Sequence, residues 1–249
     1  MTETQPITLP QLSVVVPVRN EVGNVGPLLA DIEAACQTLG AFEVIYVNDG
    51  STDGTAAALS ELGATRPWLR AVRHEQSCGQ SAAVRTGVRH ARAPVVVTLD
   101  GDGQNDPAFI PAMVQALHKA GLQAGLVQGQ RVGRKDTGFK KWQSRIANGV
   151  RGRILKDGTR DTGCGLKCFR REAYLALPYF DALHRFMPAL MVREGYQVTH
   201  VDVRDRPRLT GVSNYGFFDR LWVGILDLAG VWWLIRRRKR VPQIVPETL

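Results

Sequence analysis

The chain has 249 residues, a length at which a single α/β core with an appended tail is ordinary. Its 32 Lys and Arg exceed its 23 Asp and Glu and give a formal charge of +9. That predicts an anionic partner, whether phosphorylated substrate, lipid headgroup or nucleic acid, without choosing among them. Cys36, Cys78, Cys164 and Cys168 form no C-x-x-C pair and have no histidine at zinc spacing, so a metal-thiolate site is not expected. They read as reduced cysteines of a cytosolic protein, and the opening MTETQPITLP lacks the basic and apolar regions of a signal peptide.

In chain order, Leu12 to Val18 (LSVVVPV) predicts a strand and Val25 to Leu39 is helix-compatible. Phe42 to Val47 (FEVIYV) is a second strand, Asp53-Gly54-Thr55 opens an Ala-rich helix, Leu69 to His74 is a third strand and Gly79 to Ala91 another helix. The run from Val95 to Leu99 completes a β-α-β-α-β-α-β alternation, the pattern of parallel strands joined by crossover helices. Ligands of open α/β sheets sit outside the carboxyl ends of the strands, where Pro17 to Glu21, Asn48 to Ser51 and Asp100 to Gln104 all fall. Pro107 to Ala120 predicts a helix, Ala124 to Gln130 a fifth strand, Arg185 to Glu194 a helix and Tyr196 to Val203 a last strand. Arg131 to Arg160 carries ten Lys and Arg against Asp136 and Asp157, with Phe139, Trp142, Ile146, Val150 and Ile154 at helical spacing. This basic amphipathic pattern suits a solvated face over a core as well as it suits a membrane surface.

The stretch VVVTLDGDGQNDP (Val95 to Pro107) ends an apolar run in two carboxylates two residues apart. Gly101 and Gly103 break the strand there, so a turn can aim Asp100 and Asp102 at one point. That point suits Mg²⁺ or Mn²⁺, hard cations that take a few carboxylate oxygens and complete their shell with phosphate and water. Gln104 is placed to add a carbonyl or orient a water. A turn without metal is the alternative, with Asp106-Pro107 starting the next helix.

In the tail, Leu221 to Ile235 (LWVGILDLAGVWWLI) is apolar except for Asp227, and its fifteen residues fall short of the roughly 20 that span a bilayer. Wound as a helix it groups Leu221, Trp222, Ile225, Leu228, Ala229 and Trp232 on one face, with Asp219, Arg220 and Asp227 opposite. The following RRRKR (Arg236 to Arg240) would be drawn to anionic lipid headgroups. The expectation is an interfacial helix, with a buried core helix as the alternative.

Four motifs now stand in order: VVVPVRNE (Val14 to Glu21), VNDGSTDGT (Val47 to Thr55), LDGDGQNDP (Leu99 to Pro107) and DTGCGLKCFRRE (Asp161 to Glu172). With RPRLTGVSNYG (Arg206 to Gly216) they resemble the family 2 glycosyltransferases, in particular the polyprenyl-phosphate glycosyltransferases of the dolichol-phosphate mannose synthase type. The resemblance implies a single GT-A (Rossmann-like) α/β domain with a mostly parallel sheet, a UDP- or GDP-sugar donor, Mg²⁺ or Mn²⁺, and inverting transfer of a sugar to a polyprenyl phosphate at the cytosolic membrane face. Carried over, it makes Pro17, Arg19, Glu21, Asp49 and Asp100 nucleotide-sugar contacts, Asp100, Asp102 and Gln104 the metal site, and Arg208 and Ser213 the acceptor-phosphate site. Asp100 and Asp102 are also candidate catalytic residues, as is Asp161, which either positions acceptor or sugar or caps a turn before Gly163.

Arg19, Asn48, Asn214 and Cys164 depart from the family's usual Tyr, Asp, Lys and small hydroxyl residue, so the base and the sugar stay open. The expected layout is a polar tail (1–11), a catalytic domain (12–216), an interfacial helix with its polybasic end (217–240) and a last tail (241–249). Rival functions are a family 2 transferase that extends a glycan or glycolipid, and a non-catalytic basic module for nucleic acid or membrane; nucleic acid is not expected as a partner. His74, His90, His118, His184 and His200 show no catalytic grouping.

Overall fold

The computed structural model describes residues 9–133, 149, 151–207 and 217–237. The first half follows the predicted alternation: β1 (Leu12–Val18), α1 (Val22–Cys36), β2 (Phe42–Asp49), α2 (Thr55–Ala64), β3 (Leu69–His74), α3 (Gln80–His90) and β4 (Val95–Thr98). Then come α4 (Ile110–Lys119), β5 (Ala124–Arg131), β6 (Lys167–Arg170), α5 (Arg171–Leu175), α6 (Leu183–Arg193), β7 (Gln197–Val203) and α7 (Phe217–Arg237). The strands form one seven-stranded sheet in the order β3-β2-β1-β4-β6-β5-β7. Among the described strands only β6 runs antiparallel to its neighbours, β4 and β5.

Strand side chains alternate between the faces and fill two cores. Val14, Val16 and Val18 of β1 pack with Leu28, Leu29 and Ile32 of α1 and Met113 and Leu117 of α4. Val15, with Ile45, Val47 and Val96, packs on Val84 and Val88 of α3 and Leu183 and Leu190 of α6. A sheet covered on both faces explains the near-continuous apolar runs of its central strands.

Strand β6 was not predicted. DTGCGLKCF carries no element in the sequence reading, and within and just beyond it Lys167 to Arg170 extend, inserted between β4 and β5. The helix predicted over Pro107 to Ala120 begins as a short 3₁₀ turn, Pro107–Phe109, capped by the Asp106 carboxylate, which accepts from Ala108 N. Most of the basic Arg131 to Arg160 stretch, including Phe139, Trp142, Ile146 and Val150, lies outside the described residues, as do Arg208, Ser213 and Arg238 to Arg240.

Helix α7 corrects the tail in one respect. Leu228, assigned to the membrane-facing side, packs instead against the second core together with Leu234 and Ile235, around a buried Val231. Arg193 of α6 donates from Nε to the Leu234 carbonyl at 3.2 Å. Ile225, Leu226, Trp232 and Trp233 remain exposed. Arg236 lies 4.1 Å over the Trp232 ring and Arg237 lies 5.8 Å over Trp233. The helix is therefore apolar on two sides, one closed by α6 and one open. No described helix is long and apolar enough to cross a membrane.

Candidate active site on the sheet rim

Two loops of the rim are tied together first. Asn20, in the left-handed region at φ 56°, donates its N–H to Ser51 Oγ (2.9 Å), and its side-chain oxygen accepts from Thr52 N (2.8 Å). Glu21 donates its N–H to Thr55 Oγ1 at 3.0 Å, which sets the start of α1 against that of α2. Pro17 and Glu21 are half-buried on this wall and Arg19 is exposed.

Asp49 ends β2 and is buried. One carboxylate oxygen accepts from Cys78 N (2.8 Å) and pairs with His74 Nδ1 (2.7 Å); the other accepts from Ser77 Oγ (2.7 Å) and Gly79 N (2.9 Å). Together these donors hold its pKa below the ordinary carboxylate value, although burial pushes upward. Asp49 thus pins the loop between β3 and α3. Asp49, His74 and Cys78 come close enough to hold a metal. Their hydrogen bonds already engage both Asp49 oxygens and, through Thr86 Oγ1 at 2.9 Å, the second His74 nitrogen, and an N, O, S donor set suits zinc rather than a hard cation.

In the turn after β4, Gly103 takes a left-handed φ of 74°. A Cβ on Gly101 would fall 2.7 Å from the Pro17 carbonyl, so only glycine lets the turn lie against β1. Asp100 is held by its N–H, which donates to Asn105 Oδ1 (2.9 Å), and by Gln80 Nε2, which donates to its Oδ1 (2.7 Å). Burial, and then the charge of Asp102, raise the Asp100 pKa to about 6, against the pull of Lys167 and Arg131. Asp102 Oδ1 accepts from Gln104 N at 3.1 Å. Gln104's backbone carbonyl accepts from Arg206 N at 2.8 Å, which commits that oxygen and leaves the side-chain amide to serve a ligand. Two neighbouring half-buried carboxylates, of which Asp100 is pushed toward protonation by desolvation and then by the charge of Asp102, fit a divalent cation.

The second half of the chain closes the site. Arg131, at the end of β5, is gripped by Asp161, whose oxygens accept from Nε (2.6 Å) and Nη2 (2.9 Å), and by Asp205 at 3.4 Å. Asp161 also accepts from Gly163 N at 3.1 Å, which is the turn-capping alternative, and its grip on Arg131 is a further contact that sequence did not suggest. Arg206 bridges Asp31 of α1 (2.5 Å) and Asp106 (2.6 Å), fastening the segment before Arg208 to α1 and the turn after β4. Lys167, buried on β6, faces Asp100 from within the sheet and donates to the Cys164 carbonyl; burial lowers its pKa. His184 at the start of α6 pairs Nδ1 with Ser81 Oγ (2.7 Å), and burial holds its pKa down to about 3. His74 and His184 thus sit beside the rim in hydrogen bonds to Asp49, Thr86 and Ser81. Arg131, His184 and Asp205 lie in no motif read from the sequence, and Lys167 and Arg206 lie within the DTGCGLKCFRRE and RPRLTGVSNYG stretches without being singled out there.

A mostly parallel sheet with an acidic turn at its switch point and cations opposite is the GT-A transferase architecture. A mannosyltransferase from Pyrobaculum calidifontis, solved in complex with GDP-Man and Mn²⁺, superimposes with a TM-score of 0.68 at 23% identity over 95% of this chain and 67% of that one. Glucosyl-3-phosphoglycerate synthase from Mycobacterium tuberculosis, in complex with Mn²⁺ and UDP, gives 0.65 at 18% identity over 91% and 80%. The chain belongs to glycosyl transferase family 2, whose model matches residues 13–177. Among curated relatives, dodecaprenyl-phosphate galacturonate synthase of Rhizobium johnstonii is 38% identical over 94% of this chain. Undecaprenyl-phosphate 4-deoxy-4-formamido-L-arabinose transferase of Edwardsiella ictaluri is 34% identical over 84%. The chain spans 70% of the first relative's length and 64% of the second's.

Proposed function

We infer that the chain transfers one sugar from a UDP- or GDP-sugar to a polyprenyl phosphate at the cytosolic face of a membrane. The observation that carries this is the meeting of the Asp100–Asp102 pair with Arg131 and Lys167 at one end of the sheet, in a chain similar to two enzymes named for prenyl-phosphate sugars. An oxygen of the acceptor phosphate bonds to C1 of the sugar as the bond from C1 to the β-phosphate oxygen breaks; the electron pair leaves on the diphosphate and the anomeric centre inverts. A phosphate monoester has a second pKa of about 6 and is largely ionised near neutrality, so no strong general base is required.

The residues divide accordingly. Asp100 and Asp102, with Gln104 beside them, would hold Mg²⁺ or Mn²⁺, which when bound supplies Lewis-acid neutralisation of the leaving diphosphate. Pro17, Arg19 and Glu21 frame the nucleotide, and Asp49 shapes the wall for its base through the 76–79 loop. Asp161 positions Arg131 toward the transferring phosphates. Arg208 and Ser213, next in sequence to the anchored Arg206, bind the acceptor phosphate. The open side of α7, with Trp232 and Trp233 each beneath an arginine, lies on anionic lipid as a peripheral anchor. The test is to offer labelled UDP- and GDP-sugars with undecaprenyl phosphate and seek label in the organic phase; label appearing only in a water-soluble glycan would favour the rival that extends glycans.

A further inference from the structure

Below the metal turn lies a cavity of about 180 Å³ lined by Pro17, Gln80, Gly165, Lys167, His184 and Arg185, with Asp100 at its edge. Pockets that enclose a drug-sized ligand run to roughly 300–1,000 Å³, so this one suits a single sugar ring and not a nucleotide. Lys167 pairs with Thr98 across the β4–β6 ladder, two residues inward of Asp100, and is 3% exposed. Among the described residues its Nζ donates one hydrogen bond, to the Cys164 carbonyl. The carboxylates whose charge it feels are Asp100 and Asp161. Both are committed elsewhere, Asp161 to the Arg131 guanidinium and Asp100 to Gln80 and, on the reading above, to a divalent ion. A buried ammonium whose counter-charges are taken up by other cations is costly unless a ligand supplies an anion.

We propose that this cavity seats the transferred sugar and that Lys167 binds a carboxylate on it, so that the donor is a nucleoside-diphosphate-linked uronic acid. This rests on the glycosyltransferase reading of the site. Arg185 adds a second cation to the lining, while the Gln80 amide and the neutral His184 ring, whose Nδ1 is held by Ser81, serve hydroxyls. The donor diphosphate is the other source of anionic oxygen. It belongs with the ion at the rim, whereas Lys167 enters from two strand positions further in, which favours a group on the sugar.

The test uses donor pairs that differ only at C6: UDP-glucose and UDP-glucuronate, UDP-galactose and UDP-galacturonate, GDP-mannose and GDP-mannuronate. Binding to the full chain with Mn²⁺ is measured by calorimetry, and transfer to undecaprenyl phosphate is followed in parallel. In at least one pair the acid should bind tenfold or more tightly than its neutral partner. Lys167→Met should weaken binding of the acid at least tenfold more than binding of its neutral partner and so erase that preference, and Lys167→Arg should retain it. Equal or better binding of the neutral sugars by the wild-type chain overturns the proposal, and that comparison stands even if Lys167→Met fails to fold. Equal weakening of both donors and of free UDP or GDP by Lys167→Met also overturns it and assigns Lys167 to the diphosphate. If no donor and no free nucleotide binds, the transferase reading itself has failed.

Discussion

Replacing Gly165 with alanine should disable the metal site from outside it. A Cβ at this position would fall 2.5 Å or less from Cγ and both oxygens of the Asp100 carboxylate, where ordinary contact begins at 3.4 Å. Gly165 has no left-handed backbone requirement, so the alanine folds without strain of its own and the carboxylate must retreat by about 1 Å, a misplacement that can cost on the order of 100-fold in rate. At about 1.36 kcal/mol per tenfold, that is close to 3 kcal/mol of transition-state stabilisation. Gly163→Ala is the control for metal binding, since its nearest neighbour is the end of the Arg131 side chain at 3.2 Å and not Asp100. The assay is Mn²⁺ binding by calorimetry together with turnover. Gly165→Ala should lose both and Gly163→Ala should keep most of its Mn²⁺ affinity; a Gly165→Ala protein with unchanged Mn²⁺ affinity would refute the placement of Asp100.

Metal affinity should also depend on pH. Because the Asp100 pKa is raised to about 6, its carboxylate is protonated below that value and competes with the ion, so Mn²⁺ binding should weaken about tenfold between pH 7 and pH 5. The same upward shift favours the folded state at low pH and is lost as pH rises through about 6, so apo protein should melt lower at pH 7 than at pH 5.5 as far as this group is concerned, and saturating Mn²⁺ should reverse the order. Arg208→Lys should raise the Michaelis constant for prenyl phosphate more than that for nucleotide sugar, because an ammonium lacks the planar fork; equal effects would move the acceptor site elsewhere. Trp232→Ser with Trp233→Ser should weaken binding to anionic vesicles about 30-fold, from roughly 1 kcal/mol of interfacial burial per ring, without lowering the melting temperature. Val231→Asp should instead destabilise the fold, since Val231 is buried against α6.

The half of the molecule proposed to bind nucleotide and metal was legible in sequence because its information is local. β-branched runs end at turn residues in one short window each, so β1, β2, β3 and β4 and the rim residues Asp49, Asp100 and Asp102 all appear where pattern places them. What closes the site is not local. Arg131, Asp161, Lys167, His184 and Asp205 meet across strands and helices far apart in the chain, and β6 reads as loop because four residues after a glycine-rich stretch show no period. Helix α7 misled for a related reason. Its apolar residues run nearly all round, so periodicity could not tell that Leu228 and Val231 face α6 while Leu226 and Trp233 face outward.

The central claim is that a prenyl phosphate is the nucleophile, and the most direct measurement is ³¹P NMR of undecaprenyl phosphate incubated with the protein, its sugar nucleotide and Mn²⁺. The phosphomonoester signal should convert to a phosphodiester as nucleoside diphosphate accumulates in equal amount, with excess EDTA or Asp102→Ala abolishing both changes. A phosphomonoester that stays intact while nucleoside diphosphate is released, or conversion that proceeds unchanged in EDTA, would contradict the account.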